Sequence, residues 1–197
     1  KVITNSLSLG TTEQNANLII TGPNAGGKTT SLMALIINII MAQAFGIATS
    51  SRLQLTPFAK IHSYLDITTN LIEGESLFQA EVNRSKKLKQ SIVSCNPNEK
   101  AFTIIDEIFS GTNPDVASKV GFTFANQLGQ FGYSMSIITT HFPRLTDLET
   151  ETTHYQNYKV ADALIANDGS ISYPFKLVKG KSDQNIAQHM LEHEGII

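Results

Sequence analysis

The sequence predicts an α/β fold, with a central, mostly parallel sheet flanked by helices and an antiparallel hairpin portion at one side. Three observations carry that expectation. Short apolar runs at Asn17–Thr21, Phe102–Asp106 and Ser134–Thr139 read as buried strands. Longer segments with helical character separate them, and this alternation builds parallel sheets. A glycine-rich stretch, TGPNAGGKTT, joins the first strand to the first helix in strand–loop–helix order.

The elements follow in order. After the glycine-rich turn, an apolar helix runs to about Phe45. Its longest apolar stretch, Leu32 to Phe45, is interrupted by Asn38 and Gln43 and reads as too short for a bilayer, so a buried helix is expected and no membrane partner. Ser51 to Leu65 should hold one or two strands, and the polar stretch Asp66 to Glu75 a loop. Ser76 to about Ser94 reads as a helix with an irregular apolar face. Glu107 to Asp115, with Gly111 and Pro114, reads as a loop. Val116, Val120, Phe124 and Leu128 then recur at helical spacing with Ala117, Gly121 and Ala125 beside them, which predicts one core face. His154 to Lys176 reads as antiparallel strands turning at Asn167-Asp168-Gly169. Asn185 to Glu194 is a final helix, with Gly195 placed to cap it.

Composition narrows the function classes. With 41% hydrophobic and 16% charged residues, the 197-residue chain has a folding composition and is long enough for one well-cored domain. A net charge of −2 gives no support for a free-standing nucleic-acid reader, which is usually basic. A single cysteine, Cys95, excludes an internal disulfide framework and suits a reducing, cytoplasmic setting. The chain opens on Lys1 and shows no signal peptide, so it reads as one domain, residues 1–197, excised from a larger protein.

Three motifs carry chemistry. Gly22 to Thr29, GPNAGGKT, fits the phosphate-loop pattern G-x-x-x-x-G-K-[ST] in full. Its glycines let backbone N–H groups turn inward on phosphate oxygens, and the following helix points its positive end at them. Gly22, Pro23, Asn24, Ala25, Gly26, Gly27, Lys28, Thr29 and Thr30 thus form a candidate nucleotide cradle, with Lys28 as point charge and the Thr29 hydroxyl as a Mg²⁺ ligand. The bland alternative is a glycine-rich turn with a surface lysine. Second, FTIIDE ends an apolar strand in two acids, the Walker B arrangement: Asp106 would hold Mg²⁺ and Glu107 would orient the attacking water. Such a pair can also merely cap a turn. Third, His141 follows the third strand, where an imidazole can reach a γ-phosphate or the attacking water, although a lone histidine is more often structural.

In this order, TGPNAGGKTT, DEIFSGTNPDVA and TTHFPRLTDL resemble the ATPase domain of the MutS family of DNA mismatch-repair and recombination proteins. DITTNLIEGESLFQAE is similar to the family's signature loop through Gly74, Ser76, Phe78 and Glu81, and VKGKSDQNIAQHMLEHEGI to its terminal Gly-Ser segment. The resemblance covers nearly the whole chain. It implies a P-loop NTPase of the ABC-ATPase type, acting on ATP with Mg²⁺. It also implies a homodimer in which ATP lies between the P-loop of one domain and the signature loop of the other. Asn24, Lys28, Thr29, Asp106, Glu107 and His141 would act in cis and Ser76 in trans, although a serine before a helix is also an ordinary N-cap. Gly111, Thr112 and Asn113 would face the dimer partner, and DNA would be met through domains absent from this chain.

The chain departs from the family pattern in four places. Ala25 stands where a methionine is common, Thr29 where a serine is, Leu77 where a threonine is and Ser110 where an arginine is. The chain also stops before a helix-turn-helix dimerisation segment. These changes spare the ATPase parts and leave open which DNA structure the parent protein handles. Three other readings compete: a nucleotide-dependent dimerisation switch with little hydrolysis, a P-loop phosphotransferase, and the branch of ABC-type ATPases with long coiled-coil insertions. No heptad run supports the last.

Overall fold

Residues 2–10, 16–65, 76–96, 98–166, 168–184, 186–193 and 195–196 are described in the computed structural model of the chain. The elements are β1 (Asn17–Thr21), a single 3-10 turn (Asn24–Gly26), α1 (Lys28–Phe45), β2 (Lys60–Tyr64), α2 (Leu77–Val93) and β3 (Ala101–Asp106). They continue with α3 (Pro114–Gly129), β4 (Ser134–Thr139), α4 (Pro143–Thr146), α5 (Leu148–Glu151) and β5 (Tyr155–Val160). The chain then runs through β6 (Leu164–Ile165), β7 (Ile171–Ser172), β8 (Leu177–Lys179) and α6 (Ile186–His193). Six strands form one sheet in the order β2-β3-β4-β1-β5-β8, beside a two-stranded β6-β7 hairpin. Every pairing in the large sheet is parallel except β5 with β8. The α/β fold with a mostly parallel sheet and a small antiparallel portion is therefore as the sequence predicts.

Side-chain alternation along the strands builds two cores. Leu18 and Ile20 of β1 join Leu32, Ile36 and Ile39 of α1, with Phe102, Ile104 and Ile137. Ile19 faces the other way, toward Leu88 and Ile92 of α2, Ala125 and Leu128 of α3, and Leu145 and Leu148. Each fully buried aliphatic side chain contributes about 1.5–3 kcal/mol. The central strands are held by this burial on both faces, which is why they read as continuous apolar runs.

Four expectations need correction. First, α3 buries Ala117, Gly121, Ala125 and Leu128, while Val116 and Val120 are 46% and 38% exposed. The helix lies over Ile108 and Leu145, so its small residues face inward there, and Phe124 turns instead to the Phe109 ring. Second, β5 runs parallel to β1, and its antiparallel partner is β8, which starts after Lys176. Only β6 and β7 form the expected hairpin: Asp168 and Gly169 lie in its turn, and Asn167 lies outside the described residues. Third, α1 is buried on one side only, and Met33, Ile37 and Ile40 of its outer face are exposed. The span Asn24–Phe45, from the 3-10 turn through Gly27 and α1, is 22 residues, long and apolar enough by length and composition to cross a membrane, contrary to the shorter reading. Its inner face nevertheless packs on the sheet and its first turn belongs to the glycine-rich loop. Fourth, the short helices α4 and α5 follow β4 where no element was expected, while Ser51 to Leu65 holds β2, within the one or two strands expected. The expected loop from Asp66 to Glu75, with Gly74, lies outside the described residues, as do Asn185 and Glu194 at the ends of the last expected helix. Gly195 caps α6 as expected, with φ 66° and its N–H donated to the Glu192 carbonyl.

One polar residue ties three strands together inside the second core. Asn17, 2% exposed, donates to the His154 carbonyl (3.0 Å) and accepts from the Ser136 N–H (2.8 Å) and hydroxyl (2.9 Å). Asn17→Ala strips these groups of a partner in a dry place. It should destabilise the fold by about 1–3 kcal/mol, seen as a lower urea midpoint with unchanged slope.

Candidate functional site

The glycine-rich loop leaves β1 at Thr21 and turns through the 3-10 turn into α1. Gly27 carries φ 87°, a left-handed conformation that suits glycine, and this bend aims the first turn of α1 back at the loop. Gly22 to Thr30 thus form one continuous curve, with Asn24, Ala25 and Thr30 exposed and Gly26 buried. Lys28 is only 2% exposed. Its ammonium donates to the carbonyls of Gly22 (2.8 Å) and Pro23 (3.3 Å), so the side chain folds back under its own loop. Burial lowers the Lys28 pKa from its ordinary value, and the nearby Glu107 and Asp106 carboxylates oppose that shift.

Parallel register brings the second motif to the same end of the sheet. Asp106 pairs in register with Thr139, and Ile20, the residue before Thr21, pairs with Thr139 from the other side. The Thr29 hydroxyl donates to Asp106 Oδ2 at 2.6 Å, and the Thr139 hydroxyl donates to Oδ1. Thr139 was not singled out from the sequence; its signal is a hydroxyl at the last position of a strand beside the acid-ending strand.

Beyond Asp106 the backbone turns sharply. Glu107 adopts φ 53°, with its N–H bonded to the Thr139 carbonyl at 3.1 Å. Positive φ is uncommon for a residue with a side chain and clusters at functional sites. Glu107 Oε1 lies 2.7 Å from His141 Nε2, and the same nitrogen lies 3.2 Å from Lys28 Nζ. One ring nitrogen cannot donate to a carboxylate and accept from an ammonium at once. The hydrogen on Nε2 satisfies the shorter contact, and Lys28 keeps its two carbonyls. This hydrogen bond from His141 is the main cause holding the Glu107 carboxyl below its ordinary range; burial opposes it, and the charges of His141 and Lys28 assist.

Lys28, Thr29, Asp106, Glu107 and His141 therefore converge, and Ser76 stands apart. Ser76 is exposed and caps α2, accepting the Gln79 N–H at 3.2 Å. Gly111 and Thr112 are half-buried in the loop after β3, and Asn113 caps α3 through the Asp115 N–H. Two further features complete the site, one in the Gly-Ser segment and one with no sequence signal. Ser182 donates its N–H to the Thr21 hydroxyl (2.8 Å), which ties the C-terminal segment to the loop's base. Phe175 sets its ring beside Gly27, where a Cβ on the glycine would come within 3.2 Å of the ring. An open cleft of about 1010 Å³ lies beside the loop, lined by Gly22, Asn24, His141, Arg144, Tyr173 and Gln184 among others. Among the described residues no cluster of three His, Cys, Asp or Glu is placed to hold a metal ion. The adjacent Thr29 and Asp106 oxygens do suit a hard cation that takes few protein ligands and completes its shell from phosphate and water.

Comparison with known proteins adds the family. The family model of MutS domain V matches residues 18–196. The chain is similar to DNA mismatch repair protein MutS of Lactococcus lactis subsp. cremoris strain SK11, 27% identical over 184 residues, covering 93% of this chain and 21% of that protein. It is 29% identical over 182 residues to the protein of the same name from Streptococcus thermophilus, covering 90% and 20%. It is 28% identical over 198 residues to that of Streptococcus pyogenes serotype M5, covering 98% and 22%. The chain thus spans about a fifth of the length of these relatives.

The His141–Glu107 contact has a measurable consequence. Because the folded state holds the Glu107 carboxyl below its ordinary 4.5, the contact adds stability that is present above that value and lost as pH falls through the lowered one. In His141→Ala the carboxyl loses its main stabilising donor. Its carbon-13 NMR titration midpoint should move upward; a midpoint that stays put would show that the contact does not hold the charge.

Proposed function

Since the chain belongs to the MutS domain V family, we propose that it binds ATP with Mg²⁺ and hydrolyses it to ADP and phosphate. It would do so as the ATPase part of a larger DNA mismatch-repair or recombination protein. The observation that carries this reading is the convergence of Lys28, Thr29, Asp106, Glu107 and His141 at one end of three parallel strands. The P-loop N–H groups and the Lys28 ammonium would take the β- and γ-phosphate oxygens. Thr29 and Asp106 would hold Mg²⁺, which when bound neutralises charge on the phosphates. Glu107 would accept a hydrogen bond from the attacking water, whose oxygen bonds to the γ-phosphorus as the bond to the bridging oxygen of ADP breaks. His141 would hold Glu107 ionised and in place. Phe175 offers an apolar ring to a base beside Gly27.

The ABC-type arrangement belongs to the same proposal. Ser76, exposed and away from the cluster, would complete the site of a second copy, and the conformational change on closure would be passed to DNA-contacting parts of the whole protein. The dimerisation switch and the phosphotransferase remain as outcomes of the test.

The experiment is the Mg²⁺-dependent rate of ATP hydrolysis per chain over a wide range of protein concentration. A rate that rises with concentration and then levels supports a site shared between copies. Binding without turnover favours the switch, and turnover only with an acceptor other than water favours the phosphotransferase. Glu107→Gln should keep ATP binding while kcat drops about 100-fold or more. Lys28→Ala should weaken ATP binding about tenfold or more, measured by calorimetry.

A further inference from the structure

Glu81, in the second turn of α2, is 1% exposed. A buried carboxylate is strongly unfavourable unless its oxygens are met by donors. Among the described residues its donors come from a single loop: Oε1 accepts from the Ser110 N–H (2.9 Å) and hydroxyl (3.3 Å), and Oε2 accepts from the Gly111 N–H (3.1 Å). The same loop touches the helix at its neighbouring residues. A Cβ on Gly111 would meet Leu77 Cγ at 2.7 Å and the Phe78 backbone nitrogen at 2.9 Å, so no side chain fits there. Phe109, held at φ 58°, sets its ring 6.1 Å from that of Phe78. Three successive residues after β3 are thus docked on the first turns of α2.

This joint lies between two chemical groups that the cluster keeps apart. Along the loop, Glu107 precedes Ser110 by three residues; along the helix, Ser76 precedes Glu81 by five. We propose that Glu81 is a positioning residue that fixes the helix end carrying Ser76 against the loop carrying Glu107, so that the state of one ATP site in a dimer is felt by the other. This inference rests on the ATPase reading, in which Ser76 serves the partner's nucleotide and Glu107 serves its own. Each chain then holds parts of two sites, and Glu81 is a direct polar link between them. A carboxylate suits the task because two adjacent N–H groups need two acceptor oxygens. Glutamine offers one oxygen and sets an NH₂ against the second donor.

The test is a double-mutant cycle on the full-length protein, with Ser76→Ala and Glu81→Gln made singly and together, and with kcat, ATP affinity and melting temperature measured for each. Glu81→Gln should bind ATP within about twofold of wild type and lose about tenfold in kcat, a split expected of a positioning residue. Combined with Ser76→Ala it should lower kcat no further than Ser76→Ala alone, the non-additivity expected of residues acting as one unit. Gly111→Ala pushes the same loop off the same helix turn with the carboxylate intact, and should repeat this pattern; it carries the cycle should Glu81→Gln fail to fold. Effects on kcat that multiply, or a well-folded Glu81→Gln with wild-type kcat, would overturn the coupling while leaving the ATPase reading standing. A wild-type protein without turnover would overturn the ATPase reading and the coupling with it.

Discussion

The Asp106 carboxylate receives one hydroxyl from Thr29, at the start of α1, and another from Thr139, at the end of β4. Three segments distant in sequence are fastened at this point, and each hydrogen bond to a charged acceptor contributes about 1.5–3 kcal/mol. Parallel register makes the meeting possible, because it sets Asp106 level with Thr139 and Thr139 level with Ile20. Were β1 antiparallel to β4, the glycine-rich loop would leave from the opposite end of the strands. The burial of Leu18, Ile19 and Ile20 on both faces holds that register, so the apolar core fixes the geometry of the polar site.

The charges gathered there are unequal. Asp106 and Glu107 bring two negative charges, Lys28 one positive, and His141 adds none when neutral. Burial works against the Lys28 charge, and the two carboxylates work for it. On the proposed reading, a divalent cation beside Thr29 and Asp106 would offset the two carboxylates, an electrostatic reason for nucleotide and cation to bind together.

Local signals were legible in the sequence and long-range ones were not. β1 runs from Asn17 to Thr21 as read, because an apolar run ends there at Gly22 and Pro23. The glycine-rich loop, Asp106, Glu107 and His141 were legible because each sits where an apolar run stops and polar residues begin. On α3 only Val116 and Val120 depart from the expected face, because the small residues Ala117, Gly121 and Ala125 sit closer to the sheet than the branched ones. Close packing over Ile108 and Leu145 favours the small side chains there. The direction of β5 was hidden because its partner β1 lies more than a hundred residues earlier, and no turn signal marks a parallel pairing. Thr139, Ser182 and Phe175 reach the site only through folding, and a hydroxyl or a ring carries no mark of what it will touch.

The four departures from the family pattern can now be weighed by position. Thr29 keeps a hydroxyl, and that hydroxyl is on Asp106. Ala25 is exposed on the loop, and the Lys28 ammonium bonds the Gly22 and Pro23 carbonyls instead. Leu77 is 37% exposed, and its side chain lies against Gly111. Ser110, in place of an arginine, gives both its N–H and its hydroxyl to Glu81. Three departures therefore fall on the loop tip or on the joint between α2 and the loop after β3, and the fourth preserves the oxygen that matters. The centre around Lys28, Asp106, Glu107 and His141 is intact.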